Sequence, residues 1–179
     1  MFPAAPVHVV AGRRALLAAL LVALVPLAGA EQASAGARNA ILVKDAATVQ
    51  VLRRLLDGAR ERLGEPACQG VLDDFADGAG KPLRESLASQ GVDLAGYLGW
   101  LVFADGTQRQ LCRKPDVVAV ATPGSRVVWI CPGRLVAKAR EAPLLLEAVV
   151  IHEMLHTLGL GENPPDSHEI TLRVRRRCH

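Results

Sequence analysis

The sequence of 179 residues is poor in aromatic side chains, with two Trp, one Tyr and three Phe, and is nearly balanced in charge, with 21 basic against 18 acidic side chains. That balance leaves general binding to nucleic acid or to anionic membranes without an electrostatic basis. A hydrophobic share of 50% excludes a disordered polyelectrolyte, and the length excludes a multi-domain machine. No C-x-x-C pair occurs, which removes a cysteine zinc site. G-x-S-x-G and G-x-G-x-x-G are also missing, so neither a serine-nucleophile elbow nor a dinucleotide-binding turn is present. Gly80-Lys81 lacks both the upstream glycine and the following Ser/Thr of a phosphate loop.

Residues 1–30 have the make-up of a signal peptide: no acid from Met1 to Gly12, then Arg13-Arg14, an apolar run from Ala15 to Leu27, and Ala28-Gly29-Ala30 behind it. The run is shorter than the roughly 20 apolar residues that span a bilayer, so no stable membrane anchor is expected after cleavage. Ala33-Ser34-Ala35 offers a second cleavage site, and no Cys stands near either for lipid attachment. The first thirty residues hold two Arg and no acid, so cleavage at Ala30 leaves 149 residues with 19 basic and 18 acidic side chains. The expected product, residues 31–179, is a secreted or periplasmic domain. The Arg173, Arg175, Arg176, Arg177 cluster reads as a helix C-terminus, where the helix dipole favours cations.

Cys68, Cys112, Cys131 and Cys178 all lie beyond the leader, and an even count in an exported chain predicts two disulfides. Of three connectivities, Cys68 with Cys112 and Cys131 with Cys178 is favoured. Each bond then closes a loop of about 45 residues, worth about 4 kcal/mol by chain entropy.

Ile41-Leu42-Val43 reads as a short strand, followed by Asp45 as cap of a helix from Ala46 to Leu63. Val49, Leu52, Leu55, Leu56, Ala59 and Leu63 recur at helical spacing on one face. Pro66 to Gly91 reads as short helices broken by Gly78, Gly80 and Pro82. Trp100 to Phe103 and Gln108 to Cys112 flank an Asp105-Gly106 turn and predict a hairpin; Val117 to Ala121 and Val127 to Cys131 predict a second around Thr122 to Ser125. Helices are expected over Pro132 to Arg140, Pro143 to Leu158 and Ser167 to Cys178. Asp166 and Glu169 have capping-box spacing at the start of the last. Helix, strands and helices in that order give an α+β single domain with a small mixed or antiparallel sheet packed on the long apolar helix. Tyr97, Trp100, Phe103 and Trp129 read as core.

On that helix Ile151 to Gly159 reads I-H-E-M-L-H-T-L-G. His152 and His156 are four apart, so their Cβ atoms stand about 5–6 Å from each other and both imidazoles can reach one zinc ion at about 2.0–2.1 Å. Glu153 points about 100° away around the helix, where it can act as a base on water instead of binding the metal. The alternative is a pair of satisfied core histidines. A catalytic zinc takes three protein ligands. Glu162, the tenth residue after His152, stands where H-E-x-x-H-x-x-G-x-x-H sites place the third, and Gly159 can reverse the chain towards it. His168 is the rival, with Asp166, Glu169 and His179 behind it; each also reads as a solvated loop or cap residue.

At these residues the chain resembles the zincin metallopeptidases, whose active-site helix carries H-E-x-x-H below a mixed sheet with a substrate-binding edge strand. More narrowly, Ile151 to Thr171, IHEMLHTLGLGENPPDSHEIT, is similar to a group of exported bacterial proteins sharing an H-E-x-x-H-x-L-G-L-G-E-N-P-P segment. The resemblance implies zinc held by His152 and His156, with Glu153 as general base and acid. It departs from two larger clans: no Met follows Met154 to form a Met-turn, and only 23 residues follow His156, too few for a thermolysin-type ligand helix.

The expectation is therefore an exported zinc-dependent hydrolase, a metallopeptidase acting on protein or peptide substrates. Tyr97, His168 and Arg173 are its candidate stabilisers of developing negative charge. The alternative is a non-catalytic exported domain in which zinc locks the C-terminal helix and presents a binding surface. A closed four-ligand site, with Glu162 and His168 both bound, would mark that alternative.

Overall fold

Asp45 stops the first strand and starts the first helix: its carboxylate accepts from the Thr48 amide at 2.7 Å, satisfying one of the donors that a helix start leaves free. In the computed structural model, which describes residues 39–179, this helix is α1 (Ala46–Gly64), preceded by β1 (Ala40–Leu42). The expected signal peptide and both cleavage sites lie outside the described residues. Val51, Leu52, Leu55, Leu56, Ala59 and Leu63 form the buried stripe of α1, whereas Val49 is only half-buried. Three short helices follow, α2 (Pro66–Gln69), α3 (Leu83–Ala88) and α4 (Leu94–Gly99), with a 3-10 turn at Gly70–Asp73.

The remaining strands are β2 (Val102–Asp105), β3 (Ala119–Ala121) and β4 (Val127–Ile130), and the remaining helices α5 (Pro132–Glu141), α6 (Pro143–Thr157) and α7 (Ser167–Arg177). The fold class is α+β with one mixed four-stranded sheet in the order β1-β2-β4-β3. β1 and β4 flank β2 in parallel, with Phe103 opposite Ile41 and Val128, while β3 runs antiparallel to β4 at the sheet edge.

The second expected hairpin is present as β3 and β4, but the first is not. Tyr97 lies on α4, Gln110–Arg113 is a 3-10 turn, and both edges of β2 are occupied by β1 and β4. The Asp105-Gly106 turn does form: Asp105 accepts from the Thr107 amide at 2.8 Å, and the Gly106 amide donates to Ile130 O at 2.7 Å. A Cβ on Gly106 would meet that carbonyl at 2.8 Å and Cys112 Sγ at 2.9 Å. The backbone thus passes against the end of β4 where a side chain has no room. Burial of Phe103 and Val128, 0% and 1% exposed, outweighs the local hairpin signal.

The same approach corrects the disulfide pairing, which is Cys112 with Cys131 and Cys68 with Cys178. Cys131 directly follows β4, and the chain leaving β2 reaches Cys112 beside it. Cys178 ends α7, which packs on α2 and its Cys68. Equal loop lengths describe only the unfolded chain; the sheet register and the docking of α7 decide the pairing.

α6 packs on α1, α5, α7, β3 and β4, which is why its sequence is apolar nearly all round. Leu146, Ala148 and Val150 through Thr157 are all buried. Arg62 of α1 reaches Glu147 on α6 at 2.6 Å and also donates to Cys178 O, tying α1, α6 and the last turn of the chain together. The arginine cluster lies in α7: Arg177 makes a two-point pair with Asp74, and Arg173 donates to Asp74 O and Glu169. Among the described residues no helix is long and apolar enough to cross a membrane. Two disulfides fit an oxidising compartment such as the extracellular space.

Candidate metal centre

The C-terminus of α6 is built to aim a histidine. Gly159, at φ +113°, takes a conformation that side chains disfavour. Its amide donates to His156 O and the Leu160 amide to Leu155 O, the paired bonds of a Schellman helix end. Leu155 and Leu160, brought together by this turn, are both buried. The turn also places the Leu160 carbonyl 2.7 Å from His156 Nδ1. A carbonyl can only accept, so His156 carries its proton on Nδ1 and turns a bare Nε2 inward.

His152 faces it from one turn earlier, with Nε2 2.9 Å from His156 Nε2 and Nδ1 2.9 Å from Thr171 Oγ1 on α7. Past Gly159 the chain turns at Asn163, whose amide donates to Pro165 O, and Asp166 caps α7 by accepting from the Glu169 amide. Glu162, on that turn, brings Oε1 to 3.4 Å from His156 Nε2 and 3.7 Å from His152 Nε2. The three ligand atoms lie within 4.8 Å of one another, so His152, His156 and Glu162 form a group that could hold a metal ion. Of the rivals, His168, Asp166, Glu169 and His179 do not join the group. His168 is exposed, while Asp166 and Glu169 are engaged in the cap and the Arg173 contact.

The electrostatics favour a cation. Burial lowers the pKa of His156 and so keeps that ring neutral, the state a metal ligand needs. Contact with His152, aided by His156 and opposed by partial burial, holds Glu162 below the usual carboxylate range. Glu153 differs: burial pushes its carboxyl up to about 7, against the pull of His152 and a hydrogen bond from the Ala121 backbone. Its Oε2 is buried and has no hydrogen-bond partner. A buried acceptor left alone costs on the order of 1–3 kcal/mol. An orphaned buried carboxyl oxygen beside the neutral His156 ring and the Glu162 carboxylate fits a bound cation and its water.

The group opens into a cleft of about 380 Å³ whose walls include Glu153, His156, Glu162 and the edge strand β3. The three expected charge stabilisers are elsewhere. Tyr97 is buried and donates to Thr157 O at 3.1 Å, Arg173 is held by Asp74 and Glu169, and His168 does not line the cleft. Lys114 and Ser167 do line it, and nothing in their sequence context pointed to them. Thr171 was equally hidden, since a Thr on an amphipathic helix carries no sign of its partner.

Removing the Thr171 hydroxyl leaves the His152 ring without its anchor, and outer partners of metal-bound histidines are worth about 10–100-fold in metal affinity. Thr171→Val is expected to weaken metal binding by about that factor in a competition titration with a chelator, at unchanged helix content. Unaltered affinity would show that the ring is held by packing alone. Comparison with protein-family models, with curated proteins and with solved structures finds no match to this chain.

Proposed function

We propose that this protein is an exported zinc-dependent hydrolase, a metallopeptidase of zincin type in which His152, His156 and Glu162 hold the zinc ion and Glu153 is the general base and acid. The observation that supports it most is the convergence of three ligand atoms beside the unpartnered Oε2 of Glu153, on a cleft bordered by an edge strand. A zinc ion held there supplies Lewis-acid polarisation of the scissile carbonyl and acidifies water. Glu153 accepts a proton from the attacking water and returns it to the departing amine, ending the cycle as it began. Its burial keeps bulk water from competing for that proton. β3 offers its outer backbone edge to an extended peptide, and main-chain bonds of that kind bind without regard to sequence.

The structural-zinc alternative needs a fourth protein ligand. Among the described residues the group has three members, and Glu162, with its side chain 41% exposed, borders open solvent. Three ligands with an accessible side favour catalysis.

Elemental analysis of the oxidised protein, residues 31–179, recovered by export and purified without a metal-affinity tag, is expected to give about one zinc per chain. His152→Ala or His156→Ala should lose it. The loaded protein should then cleave members of an unbiased peptide library, with cleavage abolished by a chelator and restored by zinc. Folded protein that takes up no added zinc would dismiss the site. Loaded protein that cleaves nothing would transfer the site to the structural alternative.

A further inference from the structure

The segment between β2 and β3 forms one wall of the cleft, and it is fastened at several points. Cys112 is bonded to Cys131 just after β4, and Arg134 of α5 donates to the Lys114 carbonyl. The Arg109 guanidinium sits 3.6 Å above the Trp129 ring on β4. The 3-10 turn Gln110–Arg113 closes with the Cys112 amide on Arg109 O and the Lys114 amide on Leu111 O. Held at these points, the backbone of the segment brings two side chains to the cleft.

Those side chains are Leu111 and Lys114, both lining the cleft that holds Glu153, His156 and Glu162. Leu111 is 41% exposed, a large apolar group left uncovered on the 3-10 turn. Lys114 lines the same cleft as its one lysine or arginine, and no ion pair among the described residues includes it. It does not serve Glu162 either, whose charge is favoured by His152 and His156. Val117, Val120 of β3 and Pro123 add apolar surface to the same cleft.

We infer that Leu111 and Lys114 set the substrate preference of this site: an extended peptide with a medium-sized apolar side chain against Leu111 and an acidic side chain paired with Lys114. The inference rests on the hydrolase reading for the chemistry, though not for the binding. A cleft of about 380 Å³ is near the small end for ligand sites, so it takes a short stretch of chain and not a folded surface. Lys114, the one lysine or arginine in the lining and outside every ion pair among the described residues, makes the peptide's complementary charge negative.

Binding and cleavage are to be read separately. Binding is measured by fluorescence anisotropy on zinc-loaded Glu153→Gln protein at low salt. The probes are fluorescent hexapeptides with a central Leu and one Asp, or in their twins one Lys, at each flanking position. At the best position the Asp peptide is expected to bind about five-fold tighter than its twin, the upper range for an exposed pair. The preference should fade at high salt and invert in the Lys114→Glu variant at unchanged zinc content. Leu111→Ala should weaken both twins alike. The inference is overturned if Lys114→Glu keeps the preference, or if neither peptide binds. With active protein, cleavage without charge preference also overturns it and leaves the hydrolase reading standing. Charge-selective binding without any cleavage supports the inference and removes the hydrolase reading.

Discussion

On the proposed mechanism, replacing Glu153 by Gln is expected to lower kcat by about 10²–10⁴-fold while zinc stays bound at one per chain, because a positioned proton carrier contributes that much and Glu153 lies outside the His152, His156 and Glu162 group. Gln keeps the shape of the side chain and its acceptor for the Ala121 backbone, but cannot take up a proton. The split between activity and metal content is the informative result: loss of both would place Glu153 in the metal's coordination, and retention of both would remove it from the chemistry.

The same substitution carries a second signature in metal-free protein. The carboxyl has an ordinary pKa of 4.5 and is pushed up to about 7 by burial. Below pH 4.5 it is neutral both folded and unfolded, and the shift has no effect. Between pH 4.5 and 7 the unfolded chain ionises first, so the fold progressively loses stability, and above 7 the loss is complete. At one unit per 1.36 kcal/mol the full effect is up to about 3 kcal/mol. Metal-free Glu153→Gln is therefore expected to be the more stable protein at pH 8, with the two urea midpoints converging on acidification towards pH 4. Such a gain on removing a functional group marks a site kept at the expense of stability. Equal midpoints at both pH values would show that the carboxylate finds another partner once the chain relaxes.

Much of this site is local, and the local part is legible in the sequence. His152, Glu153 and His156 share a helix whose start at Pro143 and end at Gly159 are written in residue types, and geometry alone puts the imidazoles together. Glu162 follows after one turn, so its approach needs only the chain reversal at Gly159. What the sequence hides lies across distance. Thr171 reaches His152 only because α7 docks on α6. Lys114 and Leu111 reach the cleft only because β4 inserts between β2 and β3. That insertion also defeats the expected hairpin at Asp105-Gly106: the turn is encoded locally, but the partner of β2 is chosen by core burial of Phe103 against Val128.

The corrected disulfides predict unequal losses where the loop-length pairing predicts equal ones. Cys68 and Cys178 are 110 residues apart, Cys112 and Cys131 only 19. In the chain-entropy model the double Cys→Ser change costs about 5 kcal/mol for the first pair and about 3 kcal/mol for the second. The first is expected to lower Tm by roughly 10–20 °C in a domain of this size. Its consequences should reach the metal, since the bond anchors the end of α7 to α2 and α7 carries Thr171 to His152. Losing the second bond loosens the Leu111–Lys114 wall but touches neither α6 nor α7, so zinc affinity should hold while peptide charge preference falls. Thermal unfolding, zinc titration and peptide anisotropy on the two double variants separate these effects. Equal losses of stability and of zinc affinity would mean that the two bonds brace one cooperative unit, with no division between a clamp for the metal helices and a brace for the substrate wall.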